Sequence, residues 1–387
     1  MYNVKLFNKI AKIGLNKLPA DMYNIGEDVE NPDAVLVRSA SMHEIEFPES
    51  LLAIARAGAG VNNIPVEDCA AKGIVVFNTP GANANAVKEL AIGALLLASR
   101  NIAGGIDWVK TLGGETPIAA QVEKGKGAFV GPELAGKTLG VIGLGAIGAL
   151  VANAAHALEM DVLGCDPYIT VDAAWMLSRK IHKASDNDEI YANADYITLH
   201  IPSTPTTKGM INKETIAKMK DGVRIINLAR ADLVNSEDMK AALESGKVAS
   251  YVTDFPTNDM IGAKNTVMIP HLGASTPEAE DNCAVMAVQE LSDYILNGNI
   301  KNSVNYPNAE LPRSGKARVC VNHKNIPNVL AQISGVMGEA GANIENMINK
   351  SKKENAYTIM EATDEIPEGA YEKLMAIEGV IRVRIIH

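Results

Sequence analysis

His271 and Arg230 are the side chains of this sequence best suited to redox chemistry on an alcohol. Asn227-Leu-Ala229-Arg230 and Ile269-Pro-His271-Leu-Gly273-Ala-Ser-Thr276 each follow an apolar run that reads as a strand. The carboxyl ends of parallel strands are where α/β folds bind ligands. Oxidising an alcohol to a ketone needs a base for the hydroxyl proton while hydride leaves the same carbon, and an imidazole titrating near neutrality can be that base. A guanidinium can hold a substrate carboxylate bidentately and polarise the ketone oxygen, which a lysine cannot do with the same geometry. Alone, a histidine after proline is more often structural than catalytic, and Arg230 also reads as one half of an interlobe salt bridge. Their company in the sequence is what favours chemistry.

That company is Gly143-Leu-Gly145-Ala146-Ile147-Gly148, which follows the strand-like Thr138–Ile142 and opens an alanine-rich helix from Ala149 to Leu158. Glycines there let the backbone approach a pyrophosphate placed at the helix N-terminus. By itself the motif also fits a plain tight turn from strand to helix. Asp166 ends the next strand, 18 residues after Gly148. A carboxylate at that place accepts hydrogen bonds from the adenine ribose hydroxyls and repels a 2′-phosphate, which points to NAD rather than NADP. The alternative is an ordinary solvent-facing aspartate before Pro167.

The elements that must carry these residues form two α/β sets. Short apolar runs at Ala34–Val37, Leu51–Ile54 and Ile74–Phe77 alternate with helix-like stretches, and a second set starts at Thr138 and continues through Asp161–Gly164, Tyr196–Leu199, Val223–Ile226 and Val267–Ile269. This is the rhythm of parallel sheets. Leu90 to Ser99 and the segment after Glu278 read as long helices flanking the second set, so that set is predicted as an insert in the first: a discontinuous domain of residues 1–98 and 287–305 around a Rossmann-type domain of residues 99–286. Residues 303–316 look like a linker. From Ala317 to His387 the order strand, helix, two strands, helix, strand predicts a ferredoxin-like βαββαβ domain that folds separately.

Bulk properties narrow the partners. The 387 residues exceed what a single core usually organises, and the formal charge of −10 with no Lys/Arg block argues against nucleic acid or an anionic membrane. Cys69, Cys165, Cys283 and Cys320 are scattered without a C-x-x-C pair, which suits reduced thiols rather than a disulfide or zinc framework. No metal site is expected. Residues 1–10 lack the apolar core of a signal peptide, and the apolar stretch from Leu90 to Ala98 is far shorter than the ~20 residues of a span. A cytoplasmic location is the expectation.

Taken together, these motifs resemble the D-isomer-specific 2-hydroxyacid dehydrogenases. The resemblance also runs through Val37-Arg38-Ser39, Arg56-Ala-Gly-Ala59-Gly60-Val61, Asn78-Thr-Pro80, His200-Ile-Pro202 and Thr253-Asp254. It implies that His271 is the acid/base, assisted by a carboxylate, and that Arg230 binds substrate. The carboxylate position is Asp259 where the family usually has Glu, and a register shifted by one would place Asn258 there. Ala231 likewise follows Arg230 where glycine is usual. The backbone amides of Ala59, Gly60 and Val61 are expected at the substrate carboxylate, Asp254 at the nicotinamide carboxamide, and His200, Pro202, Thr206, Thr207, Ala229 and Gly273 around the cofactor. Arg38 and Ser39 are assigned to a substrate phosphate, with an ordinary surface cation as the alternative for Arg38.

The Ala317–His387 segment resembles an ACT domain through His323-Lys-Asn325-Ile-Pro-Asn-Val-Leu330 and Gly341-Ala-Asn343-Ile344. In serine-inhibited relatives the residues at His323, Asn325 and Asn343 bind serine across paired domains. The two resemblances imply NAD-dependent oxidation of 3-phospho-D-glycerate, the first step of serine biosynthesis, with L-serine as effector, in a homo-oligomer, dimer or tetramer, whose interface uses the Leu90–Ala98 helix and Trp108. Rival readings are a glycerate, glyoxylate or lactate enzyme and a non-enzymatic NAD-sensing regulator.

Overall fold

The computed structural model describes all 387 residues. They divide into two units, one of residues 1–83 with 280–387 and one of residues 84–279.

The first unit opens with a strand that the apolar-run pattern did not single out. β1 (Tyr2–Phe7), β2 (Tyr23–Gly26), β3 (Ala34–Val37), β4 (Ala53–Arg56) and β5 (Val75–Phe77) form a parallel sheet in the order β2-β1-β3-β4-β5. Only one residue of β1 is fully buried, so it lacks the continuous apolar run that marks β3, which is buried throughout. The order reverses between β1 and β3, and such a reversal leaves a crevice at the strands' carboxyl ends. There Asn8 accepts hydrogen bonds from the backbone N–H groups of Ser39 (2.9 Å) and Ala40 (2.7 Å), tying the two strand ends together.

The second unit carries β6 (Thr138–Ile142), β7 (Asp161–Cys165), β8 (His182–Lys183), β9 (Tyr196–Leu199), β10 (Val223–Asn227), β11 (Val248–Thr253) and β12 (Thr266–Met268). Their order is β12-β11-β10-β9-β6-β7-β8, all parallel, the doubly wound Rossmann arrangement with its reversal between β6 and β9. The insert begins earlier than residue 99. The helix Ala84–Ser99 belongs to this unit because Ala91, Ala94, Leu95 and Ala98 bury against Val151, Ala152 and Ala155 of the next domain helix. Small side chains on both helices permit that close packing. Leu96 of this helix stays exposed, as do Ile106 and Val109 of the following helix, Ile102–Val109.

The C-terminal part has β13 (Ala317–Lys324), β14 (Ile344–Lys352), β15 (Asn355–Ala362) and β16 (Val380–Ile386) in an antiparallel sheet ordered β14-β15-β13-β16. With the helices Val329–Glu339 and Ala370–Met375 this is the βαββαβ topology. One face carries Val319, Val321 and Met360 against its own helices. The other is not free. Cys320, Tyr357 and Ile359 share one core with Phe77, Tyr294 and Leu36. Arg384 donates to the carbonyls of Tyr294 (3.0 Å) and Ile295 (2.7 Å), and the buried Arg318, paired with Glu361, reaches that of Asn297. Two guanidiniums thus satisfy the last carbonyls of the helix Pro277–Asn297, where the helix dipole favours positive charge. All four cysteines are free thiols.

Candidate active site

The nucleotide loop is the best-defined part of the second unit. Gly143 has φ +92°, and a Cβ there would lie 2.5 Å from the carbonyl oxygen of His200. At Gly148 a Cβ would meet the Gly143 carbonyl at 1.9 Å, so only glycine lets this helix start so close to the turn. At Gly145, by contrast, a Cβ would meet no atom within 4 Å, which leaves open room outside the loop. The helix Ala146–Ala157 has no side-chain cap at Gly145, so its first N–H groups, on Ala146, Ile147 and Gly148, are free for an anion.

Asp166 is pinned beside that loop. One carboxylate oxygen accepts from the Leu144 N–H (2.9 Å) and the other from the Tyr168 N–H (2.8 Å). Each oxygen keeps a lone pair for a further donor. Across the reversal point, His200 bonds the Thr198 hydroxyl at 2.9 Å, and burial pushes its imidazole down to about 4, so the ring is neutral at physiological pH. The Thr207 hydroxyl donates to the Pro202 carbonyl (2.7 Å), fixing the turn after β9.

At the carboxyl ends of β10 and β11 the structure gathers Arg230, Asp254, Phe255 and His271. The His271 ring packs on Phe255 with centroids 4.6 Å apart, and the Arg230 guanidinium lies 5.9 Å from the same ring. Arg230 also donates to the Ala229 carbonyl at 2.7 Å. Asn227 holds the turn, its side-chain oxygen accepting from the Ala229 N–H and its amide donating to the Arg230 carbonyl. Ala231 starts a short 3-10 helix with φ below zero, which is why alanine stands there without strain.

His271 itself has φ +45°, held by its N–H bonding to the carbonyls of Asp254 and Ile269, both at 3.0 Å. Asp254 is buried, with one oxygen accepting from the Gly273 N–H at 3.0 Å and the other left without a partner. Burial pushes its carboxyl up, while the Gly273 bond and the nearby His271 and Arg230 oppose that. Asp259 is exposed and is not hydrogen-bonded to His271. Phe255, which joins the other two side chains, was missed by the sequence reasoning; its place directly after Asp254 was the available signal.

The first unit holds the anion-binding candidates. Arg38 forms an exposed pair with Glu280 at 2.5 Å, and the Arg56 side chain donates to the Arg38 carbonyl at 3.0 Å. Two guanidiniums therefore stand at the ends of adjacent strands, and Arg56 was not among the assigned site residues, although its place at the end of β4 announces it. The loop Ala59-Gly60-Val61 follows, with Gly60 open on its outer side and the Ala59 carbonyl accepting from the Asn78 amide at 2.6 Å.

In the C-terminal sheet His323 is buried, with one ring nitrogen on the Lys324 carbonyl (2.8 Å) and the other on the Thr358 hydroxyl (2.9 Å). Asn325 is exposed and donates to the Lys353 carbonyl at 3.0 Å, and Asn343 is exposed. No hydrogen bond joins the three. No group of histidine, cysteine and carboxylate side chains suited to a metal exists, and no single helix is long and apolar enough to cross a membrane.

Comparison with known proteins adds an independent line. Residues 92–273 match the model of the D-isomer specific 2-hydroxyacid dehydrogenase, NAD binding domain. The chain is 36% identical to the D-3-phosphoglycerate dehydrogenase of Methanocaldococcus jannaschii over 76% of its own length and 55% of that protein's. With the D-3-phosphoglycerate dehydrogenase of Haemophilus influenzae it shares 30% identity over 89% of its length and 83% of the relative's. It spans about half the length of several of the curated relatives it matches. Among solved structures, the NAD+-bound 3-phosphoglycerate dehydrogenase of Entamoeba histolytica superposes with a TM-score of 0.60 at 26% identity, covering 79% of this chain and 98% of that one.

Proposed function

This chain belongs to the D-isomer specific 2-hydroxyacid dehydrogenase family, and we propose that it oxidises 3-phospho-D-glycerate to 3-phosphohydroxypyruvate with NAD. The observation that carries the reading is the packing of His271 and Arg230 on the one ring of Phe255, beside Asp254 and in the unit that holds the nucleotide loop.

The cofactor fits the residues present. The uncapped helix at Gly145 suits a pyrophosphate, Asp166 the ribose hydroxyls, and the unpartnered oxygen of buried Asp254 an amide donor such as the nicotinamide carboxamide. When bound, it supplies the hydride acceptor. The chain's own residues do the rest. Arg230 orients the 2-hydroxy acid by its carboxylate and polarises the oxygen at C2, and His271 takes the hydroxyl proton. Asp259 assists by approaching the imidazole when substrate is bound. Arg38 with Ser39, joined by Arg56, receives the phosphate dianion, and Ala59, Gly60 and Val61 offer backbone amides to the carboxylate. For Arg38 this means exchanging Glu280 for phosphate, an exchange made easy because an exposed ion pair is worth only about 0–1 kcal/mol.

The C-terminal βαββαβ segment serves in this reading as an ACT domain that binds L-serine through His323, Asn325 and Asn343 and couples it to turnover in a homo-oligomer. The exposed asparagine side chains and their proximity in sequence to the strand-to-helix loop support it. Both parts are tested by NADH formation from 3-phosphoglycerate, glycerate and D-lactate, with and without serine. Turnover confined to the phosphorylated acid supports the substrate; turnover only with an unphosphorylated acid overturns it while keeping the family. An unchanged rate at millimolar serine removes the effector.

A further inference from the structure

One polar cavity of the first unit has no part in the scheme above. A cleft of about 670 Å³ lies between Asn78, the loop from Asn302 to Asn308, and Lys350 and Lys352 of β14. Its wall carries two lysines and three asparagines and no carboxylate, in a chain whose formal charge is −10. Positive charge concentrated in an acidic protein selects an anion.

Lys350 and Lys352 are two residues apart on a strand and so share a face, opposite Tyr357 and Asn355 of β15. His323 and Thr358 lie on the other face. The cleft is therefore distinct from the residues assigned to serine. Lys352 is anchored, its ammonium donating to the Ser303 carbonyl at 2.8 Å, and burial lowers its pKa. Lys352 is exposed overall and no carboxylate pairs with it, so its charge is left to an incoming ligand. Lys350 has no side-chain partner at all. Behind the wall Glu290 accepts from the Asn302 amide at 2.6 Å, but burial pushes this carboxyl up to about 8, so at neutral pH it does not cancel the lysines.

We propose that this cleft binds a compact dianion, a phosphate or a short dicarboxylate, and that its occupancy is felt at the Ala59–Val61 loop. Asn78 is the link. Its backbone N–H faces the Asn302 carbonyl at 3.4 Å, and its side-chain amide holds the Ala59 carbonyl at 2.6 Å. A ligand that takes the second hydrogen of that amide fixes the side chain and with it the loop. This coupling rests on the proposed function, because it assumes that the loop receives substrate; the binding site does not.

The test is isothermal titration of inorganic phosphate, and separately of malonate, into the full chain and into Lys350→Gln, an exposed change that leaves basal turnover unaltered. The expected result is a binding step for at least one anion that weakens tenfold or more in the variant. Binding of both marks recognition by charge and binding of phosphate alone marks its tetrahedral oxygens, and either supports the site. Identical isotherms for both proteins with both anions overturn it, whether or not the chain turns over 3-phosphoglycerate. In kinetics, phosphate should change the KM of the wild type more than that of Lys350→Gln; equal responses overturn the coupling to the loop.

Discussion

The imidazole of His271 rests on the ring of Phe255, centroids 4.6 Å apart and planes inclined by 45°. The geometry matters because the backbone beneath His271 is itself in the left-handed region, at φ +45°. Strained backbone of this kind persists where the surroundings over-determine it, and it clusters at functional sites. Asparagine tolerates the same region better than most residues. His271→Asn should therefore keep the fold and the affinity for NAD while turnover falls about 10²- to 10⁴-fold, the usual worth of a general base. Steady-state rates together with NAD titration by protein fluorescence separate the two effects.

The Phe255 ring packs against His271 and lies 5.9 Å from the Arg230 guanidinium, so in the proposed scheme it positions both side chains; aromatic contacts of this type are worth about 0.5–1.5 kcal/mol. Phe255→Leu should lower kcat roughly 2- to 10-fold through loss of orientation. The affinity for the adenine half of NAD should hardly move, because the loop at Gly143 and Asp166 are untouched by the change. A purely structural role would show instead as a lowered melting temperature with unchanged kcat in the surviving enzyme, so both are to be measured.

Asp259 is the residue on which chemistry and static geometry meet least well, since it is exposed and makes no bond to His271. In the proposed scheme it closes on the imidazole only with substrate bound. Asp259→Asn should reduce kcat about tenfold while leaving the affinity for NAD unchanged. An unchanged kcat would show that Asp259 never reaches the ring.

Much of this was legible in the sequence, for identifiable reasons. The β6 loop was readable because sterics leave no choice at Gly143 and Gly148. β1 was not singled out since its burial is partial, although it forms one side of the first sheet's reversal point. The helix at Ala84 was expected in the first unit through residue 98 and packs in the second, because its alanine-rich face carries no record of which neighbour it packs on. The docking of the C-terminal sheet was hidden for a different reason. It depends on Arg318 and Arg384, which reach the last carbonyls of the helix Pro277–Asn297, and on Arg382, which reaches the Leu51 carbonyl; arginines two apart on a strand read as a solvent-facing edge until such partners are known.

The steric argument at the loop gives a direct test. Gly148→Ala would force a methyl to within 1.9 Å of the Gly143 carbonyl, and neither backbone can yield without displacing the helix N-terminus. NAD affinity should fall at least tenfold, with a loss of stability of about 1–3 kcal/mol, as expected for overpacking. Retained affinity measured by calorimetry would mean that the pyrophosphate is held elsewhere.

Glu290 offers a pH-dependent prediction independent of catalysis. Its carboxyl is 7% exposed, accepts from Asn302 through one oxygen and leaves the other without a partner. Burial pushes its pKa from 4.5 up to about 8. In the unfolded chain the group loses its proton near 4.5, whereas in the folded chain it keeps it until about 8. Across that window the folded state binds more protons, so stability falls as pH rises. The full penalty is on the order of 5 kcal/mol once the folded group ionises, at roughly 1.4 kcal/mol per pH unit of separation. Glu290→Gln keeps the shape and an oxygen for Asn302 but carries no charge. The variant should melt at a temperature close to the wild type at pH 5 and several degrees above it at pH 8. Melting curves that differ by the same amount at both pH values would show that Glu290 ionises in the folded protein without cost.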